Sequence, residues 1–203
     1  MENYMYPPEY YLEHDRQKIF RVIETFSFAT VISRTEDDVV VTHLPLILDR
    51  QRGEFGFLVG HMDRNNPHAR YLDSAKVFVI FHGPNAYISP NVYESSQLPS
   101  WNFISVHVKG ITRIIESTEA VRDLLIKMTS FLEKGQDPFV LDKDNHKMQR
   151  SLGYVVGFEI EILEMIGRFK LSQNKNAADK QLAKEHLIAG SKKGHARLID
   201  FVI

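Results

Sequence analysis

Apolar positions first recur at helical spacing in residues 15–26. Ile19, Val22, Ile23 and Phe26 share a face, and Asp15 stands where an N-cap is needed. Pro7 and Pro8 keep the preceding stretch extended. That leaves Tyr4, Tyr6, Tyr10 and Tyr11 as an aromatic arm laid on something else. The period then shortens. Residues 27–34 are β-prone, Thr35-Glu36-Asp37-Asp38 reads as a turn, and residues 39–48 are β-branched and too apolar for a strand with one wet face. Pro45 cannot donate to a ladder, so it marks an edge, a bulge or a strand end. After the turn Gln51-Arg52-Gly53-Glu54, residues 55–61 form the next strand, and the two hairpins indicate an antiparallel meander.

At Asn65-Asn66-Pro67 the pattern changes to a short helix over residues 67–72, with Asn66 as cap and Pro67 as first helical residue. Residues 76–82 read as a buried strand, Gly83-Pro84-Asn85 as a turn, and residues 86–89 as a brief strand. Residues 90–99 are loop. Strands over 101–109 and 111–115 follow, with Gly110 as a bulge between them. Residues 118–134 are the clearest helix, with Val121, Leu124, Leu125, Met128, Phe131 and Leu132 in one stripe. A second short helix occupies 144–151. Residues 154–163 are a late strand with a wet face, because Phe158, Ile160 and Ile162 alternate with Glu159 and Glu161. The tail is helical over 177–189 and ends in the apolar residues 198–203.

No internal repeat and no dividing linker is visible. Short strands with one long helix and several short ones predict a mainly β (α+β) fold, a small antiparallel barrel with peripheral helices. Residues 1–175 would form the barrel with its N-terminal arm and helix, and residues 176–203 a helical tail packed on the barrel or on a partner subunit. Composition narrows the function classes. A chain of 203 residues hides roughly 70% of its unfolded surface and needs no staple to fold. The net charge of −1 lacks the footprint of a protein that coats itself in phosphates. The absence of Cys removes disulfides, thiolate nucleophiles and thiolate-ligated metals, and suits a reducing cytoplasm. No targeting segment and no membrane-spanning run is read from the pattern.

Four polar clusters stand beside strands. Thr42-His43-Leu44-Pro45 puts an imidazole at a proline-broken strand end, where it faces a pocket or bonds a backbone carbonyl. Gly60-His61-Met62-Asp63-Arg64-Asn65-Asn66-Pro67 joins a strand to a helix start. It suits an anion, through the Arg64 fork and unpaired N–H groups, or is a plain loop with an Asn cap. It matches neither a phosphate-binding loop of the GxxxxGK type nor a GxGxxG turn. The third cluster joins Tyr87-Ile88-Ser89-Pro90 to Trp101 and Asn102 and ends at His107. Trp101 is either a stacking surface for a planar ligand or a core residue with a satisfied indole. The fourth, Arg168 through Lys175, is dense in cations and amides, including Lys170, Ser172, Gln173 and Asn174. Its plain reading is a solvated strand end. No spacing among the nine His suits a metal, and no GxSxG nucleophile is present.

In order, MYPPEYY, THLPLIL, GHMDRNNPHARYL, VFVIFHGPNAYISPNVY, LPSWNFISVHVKG and GRFKLSQNK resemble the PaiB-type family, the FMN-binding negative transcriptional regulators, over residues 4–176. Two departures are modest: Asp63 stands where the family has Ala or Arg, and Ser100 precedes Trp101-Asn102 where the family has Thr. The resemblance implies an FMN-binding split barrel related to pyridoxamine-phosphate oxidase. It implies a homodimer with flavins between subunits and a repressor of sporulation or degradative-enzyme genes. Carried over by motif position, Arg64, Asn65 and Asn66 would take the phosphate, and His43, His61, Trp101, Asn102 and His107 would edge or wall the ring. Lys170, Ser172, Gln173 and Asn174 would close the site from the partner.

The residues themselves do not spell a DNA reader. There is no helix-turn-helix pattern, and the best basic run is Lys192, Lys193, His195 and Arg197 with Lys180 and Lys184. DNA contact through a dimer stays open. So does a flavin-dependent oxidoreductase acting on a small planar or haem-like substrate, with His43, His61 and His107 as the side chains that titrate near neutrality. A flavin-dependent sensor is a third class.

Overall fold

The computed structural model describes residues 7–133 and 135–196, the last six by backbone alone. Tyr4, Tyr6 and the apolar residues 198–203 lie outside the described residues. The chain divides into two compact units. Unit 1 comprises Met1–Val22, His82–Val106 and Ile166–Ile203; unit 2 comprises Ile23–Phe81 and His107–Met165.

The elements begin with β1 (Leu12–Glu13) and α1 (Arg16–Thr25), followed by β2 (Phe28–Arg34), β3 (Val39–Pro45), β4 (Ile47–Asp49) and β5 (Phe57–Asp63). Then come the long strands β6 (Lys76–Ile88) and β7 (Ser100–Ile115). The chain closes with α2 (Thr118–Leu132), α3 (His146–Ser151), β8 (Val155–Lys170) and α4 (Ala177–Ala196). Single 3-10 turns cover Glu9–Tyr11, Pro67–Tyr71, Pro90–Val92 and Leu152–Tyr154. The sheet is open, with the order β3-β2-β6-β7-β8-β5-β4. Its β2–β3, β2–β6, β4–β5 and β5–β8 pairs are antiparallel. This is the mainly β class that the patterning predicts and the split-barrel type that the resemblance implies.

In unit 2, Val31, Val79, Phe81, Leu58, Phe158 and Ile160 are fully buried; burial alternates along β2, whereas residues 57–60 of β5 are buried in succession. The helical stripe of α2 meets this sheet as expected. Leu124 and Met128 pack with Ile47 and Val59, while Val121 packs with Met148 and Leu152. Ser117 caps α2 by accepting the Ala120 N–H at 3.3 Å. In unit 1, Asp15 caps α1 by accepting the Gln17 N–H at 2.9 Å. β1 pairs with the end of β8, Leu12 opposite Arg168. Ile88, Tyr93 and Ala183 form a separate small core there.

Four sequence expectations need correction. The predicted strand 39–48 is broken at Leu46, one residue past Pro45, into β3 and β4. Gly83-Pro84-Asn85 is no turn but part of one strand of 13 residues. Gly110 is no bulge between two strands; β7 runs through it for 16 residues. The late strand also extends past residue 163 to Lys170. No described helix is long and apolar enough to cross a membrane.

Candidate functional site

In unit 2 the Asn-Pro cap works as the sequence suggests, and it is tied to more than its own helix. Asn66 Oδ1 accepts the His68 N–H at 3.0 Å, and its amide donates to Thr42 Oγ1 at 3.2 Å. His68, buried, bonds Thr42 Oγ1 through Nδ1 at 2.9 Å and Ser33 Oγ through Nε2 at 2.8 Å. Desolvation pushes the imidazole pKa below its ordinary value, which favours the neutral ring. The chain Ser33–His68–Thr42–Asn66 therefore fixes the loop that carries Arg64 and Asn65 against β2 and β3. Nothing in the sequence singled out Ser33 or His68 for this role; the one signal was a His directly behind the Asn-Pro cap.

Arg64 spends part of its fork on backbone. Nε donates to Gly153 O at 2.8 Å and Nη2 to Val155 O at 3.1 Å, while its own N–H donates to Tyr154 O. Nη1 has no bond among the described residues. Arg64 lines a cavity of about 470 Å³ together with Arg70, Glu116 and Thr118. Asn65, the next residue in the chain, is exposed. Asn66, by contrast, has committed its side chain.

The three imidazoles singled out from the sequence lie apart in character. His43 is exposed on β3, bonded through Nδ1 to Thr30 Oγ1 at 3.0 Å and stacked beside Phe28. His61 is half-buried, with Nδ1 3.2 Å from Met128 Sδ, and desolvation lowers its pKa. His107 meets Phe78 edge to face at 5.2 Å. Around His43 the β2–β3 register aligns Thr30, Ile32 and Arg34 with His43, Val41 and Val39. Phe78 and Ile80 of β6 sit opposite Ile32 and Thr30. Between Thr30, Arg34 and His43 this face carries open apolar surface: Phe28 is 64% exposed, Val39 55% and Val41 50%.

Unit 1 gathers the remaining candidates. Asn102 and Ser172 are buried and bonded to each other, Nδ2 to Oγ at 3.0 Å and Oγ to Oδ1 at 3.3 Å. The Tyr93 hydroxyl joins Ser172 Oγ at 3.0 Å. Ser172 sits at φ +63°, a left-handed conformation uncommon for a residue with a Cβ. Gln173 turns its amide back on its own strand end, accepting from Leu171 N at 2.6 Å and donating to Phe169 O. Asn174 is exposed, and Lys170 lies over the Tyr11 ring. Trp101 is not core: it is 52% exposed, with its indole N–H donated to Asn85 Oδ1 at 3.2 Å and Tyr87 alongside.

Tyr93 and Asp179 were not anticipated. Asp179, with no exposed surface, accepts the Ser95 hydroxyl, the Glu94 N–H at 2.8 Å and the Asn176 amide at 3.0 Å. Asn176 reciprocates as the cap of α4, accepting the Asp179 N–H at 2.9 Å. The Ser95 hydrogen bond, more than the backbone N–H groups and Asn176, holds this carboxyl below the usual carboxylate range, against the opposing effect of desolvation. A depressed folded pKa stabilises above the unfolded pKa, and that contribution fades as pH falls through the folded value. Thermal melts from neutral to acid pH are therefore expected to converge for the wild type and Asp179→Asn. A gap between the two that stays constant on acidification would refute this account.

The described residues of unit 2 fit the phosphate of a flavin nucleotide. A phosphate needs guanidinium and amide donors with N–H groups to spare, which Arg64, Arg70 and Asn65 retain. In unit 1, Arg168 has a buried Nε without a hydrogen-bond partner among the described residues.

Comparison with known proteins supports a flavin cofactor by a separate route. The "Putative FMN-binding domain" family model matches residues 5–164. The Bacillus subtilis protein named "Protease synthase and sporulation protein PAI 2" is 32% identical over 177 residues, covering 86% of this chain and 85% of the relative. Among solved structures, the FAD and heme binding protein of Mycobacterium smegmatis superposes with a TM-score of 0.62 at 17% identity, covering 85% of this chain and 80% of that one. The flavocytochrome Anf3 of Azotobacter vinelandii superposes with a TM-score of 0.61 at 12% identity, covering 85% and 75%. The two structural likenesses establish a shared fold.

Proposed function

The chain belongs to this family of FMN-binding domains, and from that premise we propose that it acts as a homodimeric FMN-dependent regulator of the PaiB type, a cytoplasmic repressor of sporulation or degradative-enzyme genes. The cofactor is FMN. The observation that carries the dimer is the open apolar face of β2, β3 and β6. Phe28 is exposed on β2, and Val39 and Val41 are exposed on β3 at the end of the sheet. A stable monomer buries or blunts a surface of this kind. A second copy of the same face is its occupant.

Arg64 and Asn65 hold the phosphate, with Asn66 setting the loop. His43 edges the ring from the face that the second copy covers. Of the late motif, Lys170 and Asn174 are assigned to the flavin of the opposite copy, while Ser172 and Gln173 shape the turn that presents them. Bound FMN supplies reversible electron transfer at its ring; the side chains bind and orient it. Sedimentation of freshly purified protein, with absorption read between about 350 and 500 nm with and without added FMN, tests the reading. A dimer that turns yellow supports it. A monomer that ignores FMN overturns it.

Replacing Arg64 with Ala is expected to weaken FMN binding at least about tenfold, or ~1.4 kcal/mol. Because Arg64 also ties β5 to the start of β8, Tm is followed separately from Kd. Unchanged affinity removes Arg64 from the site. For the repressor role, a gel shift on the protein's own upstream region whose affinity falls steeply with salt is the expected result. A second reading, an FMN-dependent oxidoreductase of a small planar or haem-like substrate, is favoured by the exposed Trp101, whose indole is held by Asn85 as a stacking surface. Bleaching of the flavin by a nicotinamide donor, then re-oxidation by a planar acceptor, would select it.

A further inference from the structure

Unit 1 holds a groove of about 770 Å³ in which Asn102 and Gln173 meet one face of α4, a face that the flavin reading does not use. Its apolar lining comes from Pro84, Ile104 and Leu171 and, on α4, from Leu187 and Ile188. The near wall is one face of α4. That helix carries two adjacent stripes one residue apart. Asp179, Ala183 and Leu187 are buried and anchor it; Lys180, Lys184 and Ile188 are exposed and line the groove. The two lysines are one helical turn apart on the same side, so their ammonium groups can converge on a single acceptor. Neither has a carboxylate partner among the described residues; Asp179, beside Lys180, is buried and bonded by Ser95, and Glu185, beside Lys184, is bonded by Gln181. The amides at the groove's edge are not available either, since Asn102 is bound to Ser172 and Gln173 to its own backbone. What the groove offers a ligand is therefore apolar surface and two unpaired positive charges.

We infer that this groove binds an anionic small molecule with an apolar body, its carboxylate or sulfonate held by Lys180 and Lys184 and its rings or chain laid on Ile104, Leu171 and Ile188. The volume is that of a site for a drug-sized ligand, and an apolar lining with a few charged groups is the usual composition of one. A purely apolar ligand would leave the ammonium pair idle, and a highly charged one would leave the floor unfilled. The groove borders the late turn whose Lys170 and Asn174 are assigned to the opposite copy's flavin, and the inference does not rest on the proposed regulator role.

Fluorescence titration of the FMN-loaded full chain with 1-anilinonaphthalene-8-sulfonate tests this, with N-phenyl-1-naphthylamine as the uncharged counterpart. One equivalent of the sulfonate per chain is expected. In the double variant Lys180→Gln and Lys184→Gln, its affinity should fall at least about tenfold while that of the uncharged probe changes less than about twofold. Ile188→Asp, on an exposed position that does not threaten folding, should weaken both probes. Equal sulfonate affinity in the lysine variant and the wild type overturns the inference. So does displacement of the probe by excess FMN, which would make the groove part of the flavin site. Probe binding that disappears as sedimentation shows self-association assigns the groove to a second copy and also overturns it. The FMN titration is read independently by absorption, so loss of flavin binding and loss of probe binding are distinct results.

Discussion

Gly110→Ala is expected to destabilise the protein by about 3 kcal/mol or more. A Cβ at this position would lie 2.5 Å from Glu161 O and 2.5 Å from Ile160 Cγ2. One of these atoms is backbone of β8, so no rotamer change relieves the clash; the strand itself must move. Overpacking of a core side chain alone costs about 1–3 kcal/mol, and displacing a strand in mid-sheet adds to it. For a chain of this size roughly 3 kcal/mol corresponds to about 6–12 °C in Tm. Gly153→Ala is the control, since a Cβ there meets nothing within 4 Å. Thermal and urea unfolding followed by circular dichroism are the measurements. Coincident curves for Gly110→Ala and the wild type would mean that β7 and β8 do not approach this closely.

The same glycine explains where sequence reading stopped. Gly110 and the Gly83-Pro84 pair both read as interruptions, because glycine and proline ordinarily punctuate strands. In the fold each glycine marks a close approach instead. A Cβ on Gly83 would lie 3.1 Å from Ile104 Cβ and from Ile104 O, so the missing side chain lets β6 and β7 pack tightly while both strands continue. Local chemistry that needs only its neighbours was legible: the Asp15 cap, the Thr35 to Asp38 turn, the Asn66 cap and the stripe of α2 all stand where their residues predict. Contacts that close over long sequence separations were not. Asn102 and Ser172 were both singled out, yet their mutual bond spans 70 residues, and Tyr93 and Asp179 have partners at similar distance along the chain. A buried carboxylate satisfied by backbone N–H groups leaves no signature in its own segment. The apolar face of β3 was half legible. Residues 39–48 looked too apolar for a one-sided strand, and Val39 and Val41 are indeed outward-facing yet hydrophobic.

That face leads to the second large effect. Val41→Asp is expected to weaken dimerisation at least about a hundredfold, or ~2.7 kcal/mol, and to reduce FMN retention in step with it. Val41 is half exposed in the protomer, so the new carboxylate is solvated in the single chain and the fold is undisturbed. In the dimer the same carboxylate loses its water beside an apolar cross-strand neighbour, Ile32, with Phe78 beyond, and the Arg34 guanidinium diagonal to it offsets only part of that loss. Taking a carboxylate out of water costs several kcal/mol even beside a diagonal cation, and both copies contribute one. Val41→Thr keeps the shape with a neutral hydroxyl and should remain largely dimeric. Sedimentation equilibrium gives the association constant, flavin absorbance in the same cells gives occupancy, and the Tm of the separated protomer verifies folding. If Val41→Asp sediments as the wild type does, the pairing face lies elsewhere. If it dissociates but keeps FMN at full affinity, one copy holds the flavin without help from the other, and the assignment of Lys170 and Asn174 to the opposite copy falls with it.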